Sequence, residues 1–78
     1  MKKVLAEVPW EYGLYDYDGK LFLEVTCGSV AIFEVVIELN AEERAEWEAK
    51  GVPGIMPLVE RVRGAPDRYT SRRTKLPS

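Results

Sequence analysis

From Tyr12 to Leu39 apolar and polar residues largely alternate, and from Ile55 to Val62 apolar residues recur at i, i+3, i+4 and i+7. The first pattern puts alternate side chains on opposite faces of a strand. The second lines one face of a helix. Asp18-Gly19 interrupts the alternation where a hairpin would turn, because a type I′ turn needs positive φ at both central residues. The pattern predicts strands over about 12–17 and 20–27, with Tyr17 opposite Lys20 and Leu14 opposite Leu23.

The next connection, at Cys27-Gly28-Ser29, allows two registers. A two-residue turn at Gly28-Ser29 pairs Cys27 with Val30 and Leu23 with Glu34. That puts Glu34 and Glu38 among Leu21, Leu23 and Val25. A connection one residue longer pairs Leu23 with Phe33 and Leu21 with Val35. A slip of one residue exchanges the two faces of a strand, so the face that must be buried selects the longer connection. The third strand is then about 30–39. One sheet face carries Tyr12, Leu14, Leu21, Leu23, Val25, Ala31, Phe33, Val35, Ile37 and Leu39. The other carries Tyr15, Tyr17, Lys20, Phe22, Glu24, Thr26, Val30, Ile32, Glu34, Val36 and Glu38. It is half apolar, more so than an ordinary solvated face. Residues 4–8, "VLAEV", are a candidate fourth strand ended by Pro9, which cannot donate to a ladder.

Asn40 and Glu43 form a capping-box signature that predicts a helix over about 41–50. Gly51 suits its C-terminal cap. Ala41, Ala45 and Ala49 give that helix a thin small-residue stripe. Pro57 belongs in a first turn, which predicts a second helix over about 56–63 with Ile55, Leu58, Val59 and Val62 as its core stripe. Pro66 starts one last turn. The fold class is therefore α+β: a small antiparallel meander of three strands, with a candidate fourth, followed by two short helices packed on one face. Residues 1–67 make the domain, and 68–78 a basic C-terminal tail, disordered or loosely docked and solvated.

Length and composition narrow the chemistry. The 78 residues are 46% hydrophobic and 31% charged, with one cysteine and no histidine. No internal disulfide can form, and the usual zinc ligand set is missing. A core of this size rarely supplies more than about 3–5 kcal/mol net, so self-association is the staple left. No segment approaches the roughly 20 apolar residues of a membrane span. The start, "MKKVLAEVPWEYG", lacks the apolar stretch of a signal peptide, and the expected location is the cytoplasm. Residues 7–48 carry −9 and residues 50–78 carry +5, within a net charge of −2. Such asymmetry marks either a partner surface or mutual neutralisation within the fold.

The sequence offers four candidate chemistries. Asp16-x-Asp18-Gly19 resembles half a calcium loop, but the first and twelfth ligand positions would be Leu14 and Val25, so a turn is the better reading. Glu24 and Glu34 share a face and could divide acid and base roles, but nothing predicts a pocket around them. Cys27 has no base near it in sequence and reads as structural. Arg68, Arg72, Arg73 and Lys75 could bind nucleic acid beside an aromatic sheet face, yet Glu24, Glu34 and Glu38 on that face would repel phosphate.

The expectation is a non-enzymatic protein-binding module without metal or cofactor. It would contact a protein partner, or a second copy as a homodimer, through Tyr15, Tyr17, Phe22, Val30, Ile32, Val36 and Trp47. Trp10 and Trp47 are candidate anchors, unless both complete the small core. A sharper version is an inhibitor or immunity-type protein whose acidic segment meets a basic enzyme.

Overall fold

In the computed structural model, which describes residues 2–28 and 31–77, four strands form an antiparallel sheet in sequence order: β1 (Lys2–Val8), β2 (Tyr12–Tyr17), β3 (Lys20–Cys27) and β4 (Phe33–Glu38). Helices α1 (Ala41–Lys50) and α2 (Val52–Gly64) follow, then a 3-10 helix, Pro66–Arg72. The architecture is the expected α+β one, with the candidate fourth strand present as the edge strand β1.

The first hairpin follows its turn chemistry. Asp18 and Gly19 both have positive φ, 54° and 94°. Tyr17 pairs with Lys20 and Leu14 with Leu23, as expected. The Asp16 carboxylate accepts the Gly19 N–H at 2.8 Å, so its oxygen serves the turn.

The second hairpin departs from expectation by an even slip. Leu23 pairs with Ile37, Val25 with Val35 and Cys27 with Phe33, in place of Leu23 with Phe33 and Leu21 with Val35. β4 begins at Phe33, later than the expected residue 30. An even slip preserves which side chains face which way, and Val35, Ile37 and Leu39 remain in the core. Ala31 and Phe33 do not reach it. Ala31 is exposed, and Phe33 is 39% exposed at the strand end with the Arg73 guanidinium over its ring. Cys27 fills the buried position instead, with its thiol directed at the Val25 and Val62 carbonyls. Burial pushes that thiol's pKa up, the opposite of an activated nucleophile.

Helix α1 has the capping box its sequence announces: Asn40 Oδ1 accepts from Glu43 N, and Glu43 Oε1 accepts from Asn40 N, both at 2.9 Å. Helix α2 begins at Val52, four residues earlier than expected, and holds Pro57 in its interior. Pro57 cannot donate to the Pro53 carbonyl. Burial of Ile55, Leu58, Val59 and Val62, each at most 3% exposed, offsets that loss.

Gly51 alone separates the helices, so they pack closely. A Cβ on Gly54 would sit 2.2 Å from the Glu46 carbonyl oxygen. Alanine improves helix propensity by about 1 kcal/mol, but backbone cannot yield as a flexible side chain can. Gly54→Ala is therefore expected to lower stability by about 1–3 kcal/mol, read as a shift in the urea midpoint.

The basic segment is tied to the sheet. Arg72 makes an ion pair with Glu43 at 2.6 Å and donates to the Glu38 carbonyl. Arg73 pairs with Ile37 and donates to the Glu34 carbonyl, and Thr74 N donates to Val36 O at 2.8 Å. The segment from residue 68, set apart as a tail in the sequence, thus closes the β4 edge, while β1 leaves the opposite edge open. Burial pushes the Glu43 carboxyl up, but its bonds to Arg72 and Asn40 outweigh that and hold it below the usual carboxylate range.

Candidate partner-binding face

The sheet face away from the helices is built from alternate residues of all four strands. The register aligns Glu7, Gly13 and Glu24 across β1, β2 and β3. On β4, Glu34 lies opposite Thr26, diagonal to Glu24. Gly13 has no side chain, and the Tyr15 ring folds over it. A Cβ on Gly13 would lie 2.2 Å from the Tyr15 hydroxyl and 2.6 Å from the ring. That hydroxyl donates to Glu7 at 3.2 Å. A strand glycine of this kind marks a close approach. Here it lets one aromatic ring lie between two carboxylates.

The carboxylates have little compensation. Among the described residues the ion pairs are Arg44–Glu48, Lys50–Glu46 and Arg72–Glu43, none on this face. The Lys2 ammonium lies 4.8 Å from the centre of the Tyr15 ring. Partial burial, a hydrogen bond shared with Glu34 and the charges of Glu34 and Glu7 raise the Glu24 pKa to about 7, against a weaker lowering by Lys2. Burial, the bond to Glu7 and the Glu24 charge push the Tyr15 phenol up to about 12. Both groups report a local field that disfavours further negative charge.

Glu24 therefore links stability to pH. Its folded pKa is raised, so the folded chain holds a proton that the unfolded chain releases near pH 4.5. Stability from this group is complete below that pH and is lost as pH rises through about 7. Wild type is expected to lose on the order of 1 kcal/mol between pH 5 and pH 8 through this group, a value reduced for solvent screening. Glu24→Gln should flatten that slope and be the more stable protein at pH 8. Urea unfolding of both proteins at the two pH values measures it.

The expected contact residues do not form one surface. Tyr15, Phe22 and Val36 lie on this face but are already 5%, 5% and 8% exposed. The Tyr17 ring meets Phe22 edge-on at 5.6 Å. Half-buried Leu76, with Thr74 and Lys75, lines the same concavity as Val36. These neighbours shrink the apolar patch that alternation alone suggested. Ile32 is 67% exposed in the β3–β4 connection. Val30 lies outside the described residues. Trp47 packs half-buried against the core on the helix side of the sheet, away from Tyr15. Of the basic residues, Arg72 and Arg73 are engaged within the fold, while Arg68 and Lys75 are exposed.

Trp10 is the feature that sequence reasoning underweighted. It is 84% exposed, and its φ of 68° is left-handed. Glu11 N donates to Val8 O at 3.0 Å, which closes the turn Val8-Pro9-Trp10-Glu11. Pro9 occupies its second position, and Trp10 the third, where a type II turn favours Gly or Asn. Trp10 rims a cavity of about 350 Å³ lined also by Tyr12, Tyr15, Glu7, Glu24 and Glu34. Pro9 announced the turn, but no pattern in the sequence showed that the next residue points outward.

Compared with known proteins, the chain matches no family model, no curated protein and no solved structure. Among the described residues no group of histidine, cysteine or acidic side chains could hold a metal ion, and no helix is long and apolar enough to cross a membrane.

Proposed function

We propose that this chain is a non-enzymatic protein-binding module that receives a basic partner on the sheet face around Trp10. The observation that carries the reading is Trp10 itself. A large indole in water at a left-handed position adds nothing to the core and strains its own turn. Such features persist where function retains them. Tryptophan is also among the residues most enriched at binding hot spots.

The charge of the face supports a basic partner over a second copy. Stacking two such faces would set Glu7, Glu24 and Glu34 of each copy against those of the other, and like charges brought together across an interface are costly. With Tyr15, Phe22 and Val36 already buried, little apolar area remains to offset that cost. An inhibitor or immunity-type role against a basic enzyme fits the same face. Nucleic acid fits it poorly, since phosphate would meet carboxylates and two of the four arginine and lysine candidates are engaged internally.

Capture from a cell extract, followed by reconstitution with the purified partner, tests this reading. The recovered partner should be basic, binding should weaken with salt, and Trp10→Asn should bind about thirtyfold more weakly. An acidic partner, or one held equally by Trp10→Asn, would contradict it.

A further inference from the structure

The cavity beside Trp10 combines two chemistries that rarely share a small surface. It is lined by the aromatic residues Trp10 and Tyr15 and by the carboxylates Glu7, Glu24 and Glu34, with Tyr12, whose side chain belongs to the core, at its edge. Aromatic faces attract cations through the ring quadrupole. Adjacent carboxylates accept the parallel N–H donors of a planar guanidinium better than the point charge of an ammonium.

One aromatic ring of the lining, Tyr15, already holds a cation. Its own Lys2 ammonium reaches over the Tyr15 ring from the far end of β1, although Lys2 is exposed and free to stay in water. The groove between α1 and α2 is of similar volume, about 350 Å³, but its Glu43 is already neutralised by Arg72 and no aromatic side chain lines it.

We propose that this cavity is a receptor for the guanidinium group of an arginine presented by the partner protein. The inference rests on the protein-binding reading above and adds the chemistry that the face recognises. The guanidinium would stack on Trp10 and bond to Glu24 and Glu34, displacing the proton held on Glu24. Affinity is therefore linked to pH through Glu24. The groups facing it are Lys2 and Glu7 from β1, Tyr15 from β2 and Glu34 from β4, with Arg73 and Lys75 of the C-terminal segment lining the adjoining concavity.

The test uses N-acetyl-arginine methylamide as probe and its neutral isostere, N-acetyl-citrulline methylamide, as control. NMR would follow the Trp10 indole N–H and the Gly13 and Thr26 amides. The arginine derivative should give saturable shifts with half-saturation on the order of millimolar, and the citrulline derivative none. Glu24→Gln combined with Glu34→Gln should weaken the response by about fivefold or more. Lys2→Ala, which removes a competing cation, should strengthen it, and so should raising the pH from 6 to 8. No arginine response, equal shifts with citrulline, or shifts centred on Glu42 and Glu46 would overturn the assignment. If the arginine response is absent while Trp10→Asn still weakens partner binding about thirtyfold, only the guanidinium assignment fails. If the arginine response is present and the partner binds Trp10→Asn normally, the partner-binding reading fails.

Discussion

Leu23→Ala is expected to leave the chain largely unfolded at 25 °C. Leu23 is fully buried, flanked in the sheet by Leu14 and Ile37, on the strand that α2 packs against. Removing its side chain loses transfer free energy and leaves a cavity, at a cost of about 2–5 kcal/mol. A domain of this length holds only about 3–5 kcal/mol in total. There is no disulfide to limit the damage, because Cys27 is the only cysteine. Circular dichroism across a urea series should show wild type folded with a cooperative transition and Leu23→Ala without a folded baseline. Val4→Ala is the control. Val4 is 51% exposed, and a change there should stay within about 0.5 kcal/mol of wild type. A Leu23→Ala protein unfolding at the wild-type midpoint would mean that the core is not centred on β3.

Trp10→Asn is expected to separate stability from binding. A non-glycine residue in left-handed backbone costs roughly 1–2 kcal/mol, and asparagine tolerates that region better than tryptophan does. The substitution also takes an 84% exposed indole out of water. No packing is lost from the core, so stability should stay level or rise by about 0.5–1 kcal/mol. Partner affinity should fall by about thirtyfold, the size of a hot-spot loss near 2 kcal/mol. Unfolding and binding measured on the same preparations would reveal the opposite signs. If Trp10→Asn proved markedly less stable, Trp10 would be a structural residue and the partner face would lose its anchor.

Much of the fold was legible because local signals agreed. Asp18-Gly19 required an I′ turn, Asn40 and Glu43 required a helix start, and the stripe Ile55, Leu58, Val59 and Val62 required a buried helix face. The register of β4 was legible only in parity. Burial says which side chains look inward, but it cannot distinguish a short connection from one longer by an even number of residues. The start of α2 was hidden because Pro57 locally opposes a helix that tertiary packing then enforces. Docking of the C-terminal segment left no period to read. It rests on contacts of Arg72 and Arg73, on the Thr74–Val36 hydrogen bond and on Leu76. The proposed partner face was legible in its charges and aromatics but not in its exposure. Whether Tyr15 lies flat over Gly13, or Trp10 stands in water, depends on turn geometry and on neighbours from other strands.

The central claim is that a basic partner meets the sheet face around Trp10. Amide hydrogen exchange on the reconstituted complex tests it most directly. Slowed exchange should be confined to residues 7–15, 24–26 and 34, with α1 and the 3-10 helix unchanged. Protection over α1, α2 or residues 66–74, with the Trp10 turn exchanging as in the free chain, would contradict it.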